Sequence, residues 1–119
     1  MNHTSEIKLQ VELDENRIPE RITWEAPDGG IAHQEAKAMF LSVWDHKAKE
    51  ALRIDLWTKD MPLEEMNVFY YQTFQTMADT FYKATQDQKM TDTMRDFCEY
   101  FAEKSKFIAY RYPLHLRLT

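Results

Sequence analysis

The residues that could ligate a metal or act as nucleophiles are few and widely separated in this sequence. Four histidines and one cysteine occur among the 119 residues, at His3, His33, His46, His115 and Cys98. A metal site needs ligands that converge, and catalytic zinc usually takes three protein ligands. No two of these histidines share a short helical spacing, and none lies close in sequence to Cys98. We therefore expect no metal site and no cofactor.

Cys98 is the one candidate thiol nucleophile. It lies between Phe97 and Phe101 in a segment of helical apolar spacing, where a buried cysteine usually packs as a small hydrophobic residue. The chain has only two glycines, Gly29 and Gly30. It has none of the glycine-rich fingerprints that bind phosphate or carry a nucleophilic serine. These residues predict a protein that is not an enzyme.

Two strands are predicted before residue 27. Residues 6–13 alternate apolar and polar side chains, and 20–26 form a second strand with Ile22 and Trp24 on one face. A hairpin that places Leu13 opposite Ile22 also places Val11 opposite Trp24. The glycines that follow indicate a turn that requires positive φ. Residues 31–37 are ambiguous and fit a helical turn.

A second hairpin is predicted from residues 38–45 and 50–58. One register pairs three apolar residues of each strand: Val43 with Leu52, Leu41 with Ile54, and Met39 with Leu56. A single register that satisfies a whole face favours the hairpin. The connection at 46–49 lacks glycine, and 33–44 could instead form a helix because its residue types favour one.

Two helices follow, at about 62–84 and 88–105. Asp60 is expected to cap the first helix, and the acidic Glu64 and Glu65 suit its N-terminus. The apolar stripe predicted for this helix comprises Met66, Phe69, Tyr70, Phe74, Met77 and Phe81. The short connection favours an antiparallel pair of helices.

The predicted fold class is a two-layer α+β domain over residues 6–105. It comprises a four-stranded antiparallel sheet, built from two hairpins, that is covered by two C-terminal antiparallel helices. Residues 1–5 are expected to be a flexible N-terminus and 106–119 a basic tail.

Composition limits the compartment and the partners. The net charge is −5 and the basic residues are scattered, so we expect no nucleic-acid partner. No apolar run is long enough to span a membrane, and no secretory signal precedes the first strand. A single cysteine rules out an intrachain disulfide, which fits the cytoplasm.

The second hairpin carries the candidate binding surface. If its aliphatic residues face the helices, the opposite face presents Phe40, Ser42, Trp44, Arg53, Asp55 and Trp57. Tryptophan and arginine are enriched at the energetic centres of protein interfaces, so this face is expected to contact a protein. It could equally be covered by residues 27–37 or by the tail. A hydrophobic-ligand pocket between sheet and helices is the alternative to a protein-binding role.

Several segments resemble the gliding-motility protein GldC family. They are residues 6–15, 18–24, 28–30, 35–39, 42–45, 52–61 (LRIDLWTKDM), 65–66, 84–85 and 96–104 (DFCEYFAEK). The resemblance covers about residues 5–105, and the tail departs from the family pattern. It implies a small cytoplasmic accessory protein that supports gliding and its linked secretion system, in a family for which no enzymatic activity is established. The implied partner is a protein component of that machinery, and a homodimer built on the aromatic face is a second possibility.

Overall fold

The computed structural model describes residues 2–105. The chain forms two compact units that meet in sequence at Met61 and Pro62. Among the described residues, the strands belong to the first unit and the two α-helices to the second. The expectation of one domain over 6–105 stays a prediction, and the basic tail at 106–119 lies outside the described residues.

The first unit begins with a three-stranded antiparallel sheet. Its strands are β1 (Lys8–Leu13), β2 (Pro19–Ala26) and β3 (Ile31–Ala36), in the spatial order β1-β2-β3. A short 3-10 turn at Pro27–Gly29 leads into β3, and Gly30 follows it with φ 77°. The predicted need for positive φ at the glycines is therefore confirmed at Gly30. Residues 31–36, which the sequence left ambiguous, form a strand and not a helical turn.

The register of the first hairpin differs from the prediction by two residues. Val11 lies opposite Ile22 and Leu9 lies opposite Trp24. The cause is the tight turn after β1, in which the Asp14 carboxylate accepts hydrogen bonds from the backbone N–H groups of Asn16 (2.8 Å) and Ile18 (3.0 Å). Because the turn is short, β2 begins to pair with β1 at Pro19, which lies opposite Leu13. The register is irregular between Glu12 and Leu13.

A bend at Lys37 separates β3 from the next strand, β4 (Ala38–Trp44), which pairs with β5 (Ala51–Trp57) in a two-stranded sheet. We call β4 and β5 the ribbon. Its register pairs Val43 with Leu52, Leu41 with Ile54 and Met39 with Leu56. The predicted register is confirmed, and the alternative of a helix over 33–44 is wrong.

The glycine-free connection of the ribbon is built from an aspartate. The Asp45 carboxylate accepts hydrogen bonds from the backbone N–H groups of Lys47 (3.0 Å) and Ala48 (2.6 Å). Lys49 takes φ 54°, the left-handed conformation that glycine usually supplies. The Asp45 N–H group then bonds the carbonyl of Glu50 at 3.0 Å and closes the turn.

The second unit is an antiparallel pair of helices, α1 (Leu63–Thr85) and α2 (Gln88–Ser105). Aromatic contacts join them, with the ring centroids of Phe74 and Phe101 5.2 Å apart. The Asp87 carboxylate accepts a hydrogen bond from the N–H group of Met90 and caps α2. Asp60 does not cap α1, because the helix starts later, with Pro62 as its N-cap residue.

Each unit has its own small core. In the first unit the buried apolar residues are Ile22, Ala26 and Ile31; in the second they are Tyr71, Ala78 and Cys98. The predicted stripe on α1 is therefore wrong in detail, since Tyr70 and Met77 are exposed. The deepest positions of α1 are seven residues apart, at Tyr71 and Ala78, which is two helical turns.

The α+β class is confirmed. The sheet is not a single four-stranded one, because residues 2–105 contain five strands divided between a three-stranded and a two-stranded sheet. Residues 31–36 supply the additional strand. The covering of a sheet by the helices stays a prediction.

Candidate interaction surface

The ribbon brings all of the predicted surface residues to one face. Pairing in the ribbon sets Phe40 opposite Asp55, Trp44 opposite Ala51, and Trp57 opposite Ala38. Because successive side chains in a strand alternate between faces, these positions share one side with Ser42 and Arg53. We call this side the tryptophan face and define it by Phe40, Ser42, Trp44, Arg53, Asp55 and Trp57.

The two tryptophans are the most open features of this face. Trp44 is 71% exposed and Trp57 is 58% exposed, whereas Phe40 is half-buried. They lie at opposite ends of the ribbon, six residues apart along β5, which corresponds to about 20 Å. Residues 27–37 leave these two side chains exposed. The alternative of cover by the tail lies outside the described residues.

A fork of hydrogen bonds organises the charges between the tryptophans. The Arg53 guanidinium donates from Nη2 to both carboxylate oxygens of Asp55, at 3.0 and 3.1 Å, and from Nε at 3.2 Å. Both side chains are substantially exposed. The face therefore offers a charged pair flanked by two apolar rings, a combination that suits a protein contact.

The opposite side of the ribbon is more open than the sequence indicates. We call it the aliphatic face, and its members are Met39, Leu41, Val43, Leu52, Ile54 and Leu56. We expect such a face to be buried, yet Val43 is 52% exposed, Leu52 48% and Ile54 50%. Three members of this face are half-buried: Met39 and Leu56 near the base, and Leu41 at the centre. Sequence reasoning missed this exposure because strict alternation looks the same in a covered and an uncovered strand pair.

The base of the ribbon is fixed to the rest of the first unit. Buried Thr58 donates from its N–H (2.8 Å) and its hydroxyl (3.2 Å) to the carbonyl of Lys37 at the bend. Lys59 Nζ lies 2.5 Å from Asp14 Oδ2, which joins the end of β5 to the turn of the first hairpin. This contact lowers the pKa of the Asp14 carboxyl, with help from the N–H groups of Ile18 and Asn16, and raises the pKa of Lys59.

Cys98 lies far from the ribbon in sequence and is buried on α2. Burial raises the pKa of its thiol, and the neighbouring Glu99 carboxylate adds to the effect. A thiol that is both buried and harder to ionise is a poor nucleophile. This environment matches the expected packing role.

The remaining titratable side chains do not converge. His3 Nε2 lies 2.8 Å from Asp28 Oδ2, and Ser5 donates to the same oxygen, which lowers the pKa of Asp28. Within residues 2–105, no three histidine, cysteine or acidic side chains cluster closely enough to hold a metal ion. Over the same range, neither helix combines the length and apolar character needed to cross a bilayer.

Fold and surface together define a small α+β protein with an aromatic ribbon. The family model for gliding motility-associated GldC-like proteins matches residues 19–107, well over half of the chain. The chain therefore belongs to the GldC-like family, which confirms the resemblance and connects it with gliding motility. No curated protein and no solved structure is significantly similar to it.

Proposed function

We propose that this protein is a non-enzymatic cytoplasmic adaptor of the gliding machinery and its linked secretion system. In this role the tryptophan face binds a protein component of that machinery. The observation that carries the proposal is the exposure of Trp44 and Trp57 on either side of the Arg53–Asp55 pair. Family membership supplies the cellular context.

The size of the face fits a modest interface. An aromatic side chain contributes about 150–250 Å² when buried, so the exposed parts of Trp44 and Trp57 offer roughly 300 Å². A standard interface buries about 800 Å² on each partner. The two rings would supply the energetic centre of the contact, and neighbouring polar residues would supply the rim.

The first test is capture of partners from lysate of the native host with a tagged full-length chain. The variant is Trp44→Ala with Trp57→Ala. The matched control is Tyr100→Ala, because Tyr100 is an aromatic of similar exposure (56%) on α2. The proposal predicts that wild type and control retain a motility or secretion component, identified by mass spectrometry, and that the double variant loses it.

A gliding assay in a strain that lacks the native gene completes the test. The control variant should restore movement and the double variant should not. Circular dichroism and urea unfolding of both variants are compared with wild type to show that each is folded. Full restoration by the folded double variant would show that the tryptophan face is not the functional contact. If the wild-type protein captures no motility or secretion component, the proposed adaptor role is wrong.

A further inference from the structure

Within residues 2–105, β5 pairs only with β4, so its other edge has no partner strand in this part of the chain. A two-stranded ribbon alone is marginally stable in water. An unpaired edge is a template for another strand. The hydrogen bonds from Thr58 to Lys37 and from Asp45 to Glu50 fix which backbone groups are used inside the ribbon. The backbone N–H and C=O groups of residues 52, 54 and 56 form hydrogen bonds with β4. Those of residues 51, 53, 55 and 57 therefore point to the other edge of β5.

The sequence of β5 is complementary to itself when read in the opposite direction about Ile54. An antiparallel second copy with its Ile54 opposite this one sets Arg53 opposite the partner's Asp55, and Asp55 opposite the partner's Arg53. The same register sets Leu52 opposite the partner's Leu56. It also sets small Ala51 opposite the partner's large Trp57. All positions of Ala51–Trp57 are then paired.

Hydrogen bonding and charge favour this register over those centred on residues 53 and 55. Residues 53 and 55 both direct their backbone groups to the open edge, so they can exchange hydrogen bonds across it. Moving the centre to residue 53 or 55 preserves that bonding but sets Arg53 opposite Arg53 or Asp55 opposite Asp55. Like charges directly opposite are destabilising in a sheet. The corresponding edge of β4 presents Phe40 and Ser42 and has no charge to choose a register.

We propose that β5 pairs antiparallel with β5 of a second copy, about a two-fold axis at Ile54. The resulting four-stranded sheet has the order β4-β5-β5-β4, in which the edge of β5 is paired and the two β4 strands lie outermost. Arg53 and Asp55 already lie together within one chain. In the dimer, the two arginines and two aspartates alternate in sign around the two-fold axis. Any weakening of the Arg53–Asp55 pair within one chain costs little free energy, because an exposed ion pair contributes little by itself.

The dimer also changes the tryptophan face. Ala51 lies opposite Trp44 within one chain, and opposite the partner's Trp57 across the new edge. Trp44 and the partner's Trp57 therefore flank the same alanine, about 10 Å apart. Two pairs of tryptophans form, one at each end of the sheet. The pairing does not depend on the proposed adaptor role, since it follows from β5 alone.

Charge reversal tests this arrangement by sedimentation velocity on the full-length chain. Wild type is expected to sediment as a dimer at tens of micromolar. Arg53→Asp sets two pairs of acidic residues opposite each other, and Asp55→Arg sets two pairs of basic residues opposite each other. Each variant alone is expected to weaken dimerisation by about tenfold or more. The double variant with both substitutions restores opposite charges and the dimer.

Mixing the two single variants gives the sharpest outcome. In a mixed pair every position 53 again meets an opposite charge at position 55 of the other chain. The variants that fail to pair with themselves should therefore form a one-to-one heterodimer. A purely structural role of the charges within one chain would not produce this rescue.

Three results would overturn the proposal. They are a monomeric wild type at these concentrations, a dimer indifferent to both single substitutions, and the absence of a heterodimer from folded single variants. Folding is checked by far-ultraviolet circular dichroism of each variant. Since Trp44→Ala leaves the β5 edge intact, that variant should remain dimeric even if it fails to bind a motility component. Failure of the dimer and failure of the adaptor role are thereby distinguishable.

Discussion

Replacing Ile22 by alanine measures how much the three-stranded sheet contributes to stability. Ile22 is only 1% exposed and lies on the central strand between Val11 and Ala36. The substitution removes three carbon atoms, worth about 2.4 kcal/mol of transfer free energy at about 0.8 kcal/mol each. The cavity left beside small Ala36 raises the expected loss to about 3–4 kcal/mol, within the usual range for such changes. That is a large share of the roughly 5–15 kcal/mol that stabilises a domain.

The matched control is Ile54→Ala on the ribbon, the same chemical change at a half-exposed site. Ile54 is 50% exposed, so about half of the transfer term, roughly 1 kcal/mol, is expected and little cavity forms. Urea unfolding followed by circular dichroism measures both. The Ile22 effect should be independent of protein concentration, whereas a dimer through β5 makes the Ile54 effect grow with concentration. Equal losses at the two sites, or a loss below about 1 kcal/mol at Ile22, would refute this account of the core.

Two further predictions concern the turns. Because the folded pKa of Asp14 is lowered, its contribution to stability is present above its ordinary pKa of about 3.9 and is lost as pH falls through the folded value. Urea midpoints of Asp14→Asn should therefore be lower than wild type at pH 6 and should converge with it in acid; a constant difference across that range would contradict the linkage. Lys49→Gly should raise stability by about 0.5–1 kcal/mol. A left-handed non-glycine residue costs about 1–2 kcal/mol, and the larger conformational entropy that glycine loses on folding offsets part of this gain. Lys47→Gly, at a position without positive φ, should instead destabilise, and a gain at both positions would exclude the conformational explanation.

Local patterns predicted the elements whose signals are strongest. The helical spacing between residues 62 and 105 located both helices to within a residue or two. In the ribbon, apolar residues at matching positions of both strands determined the register. The first hairpin shows why alternation alone is insufficient. A shift of two residues keeps every side chain on its face, so the choice was made by the Asp14 turn and not by the apolar pattern.

Other features had no usable signal in the sequence. β3 is mostly polar and exposed, and its conformation comes from pairing with β2. The start of α1 depends on the turn in which Met61 donates to the Thr58 carbonyl, which places Asp60 too early to cap it. For the surface, alternation assigned each residue to a face. The exposure of Ile54 and its neighbours depends on tertiary structure, which alternation does not encode.

The attachment of the ribbon at its base has an evolutionary consequence. The contacts that hold it, from Thr58 to Lys37 and from Lys59 to Asp14, lie at the end away from the 46–49 turn. Substitutions toward the tip, at positions such as Trp44, can therefore alter what the ribbon recognises without disturbing the buried residues of the first unit. Selection for partner specificity and selection for folding then act on separate parts of one short chain. Related proteins with different partners are expected to vary most at the tip and least at the base.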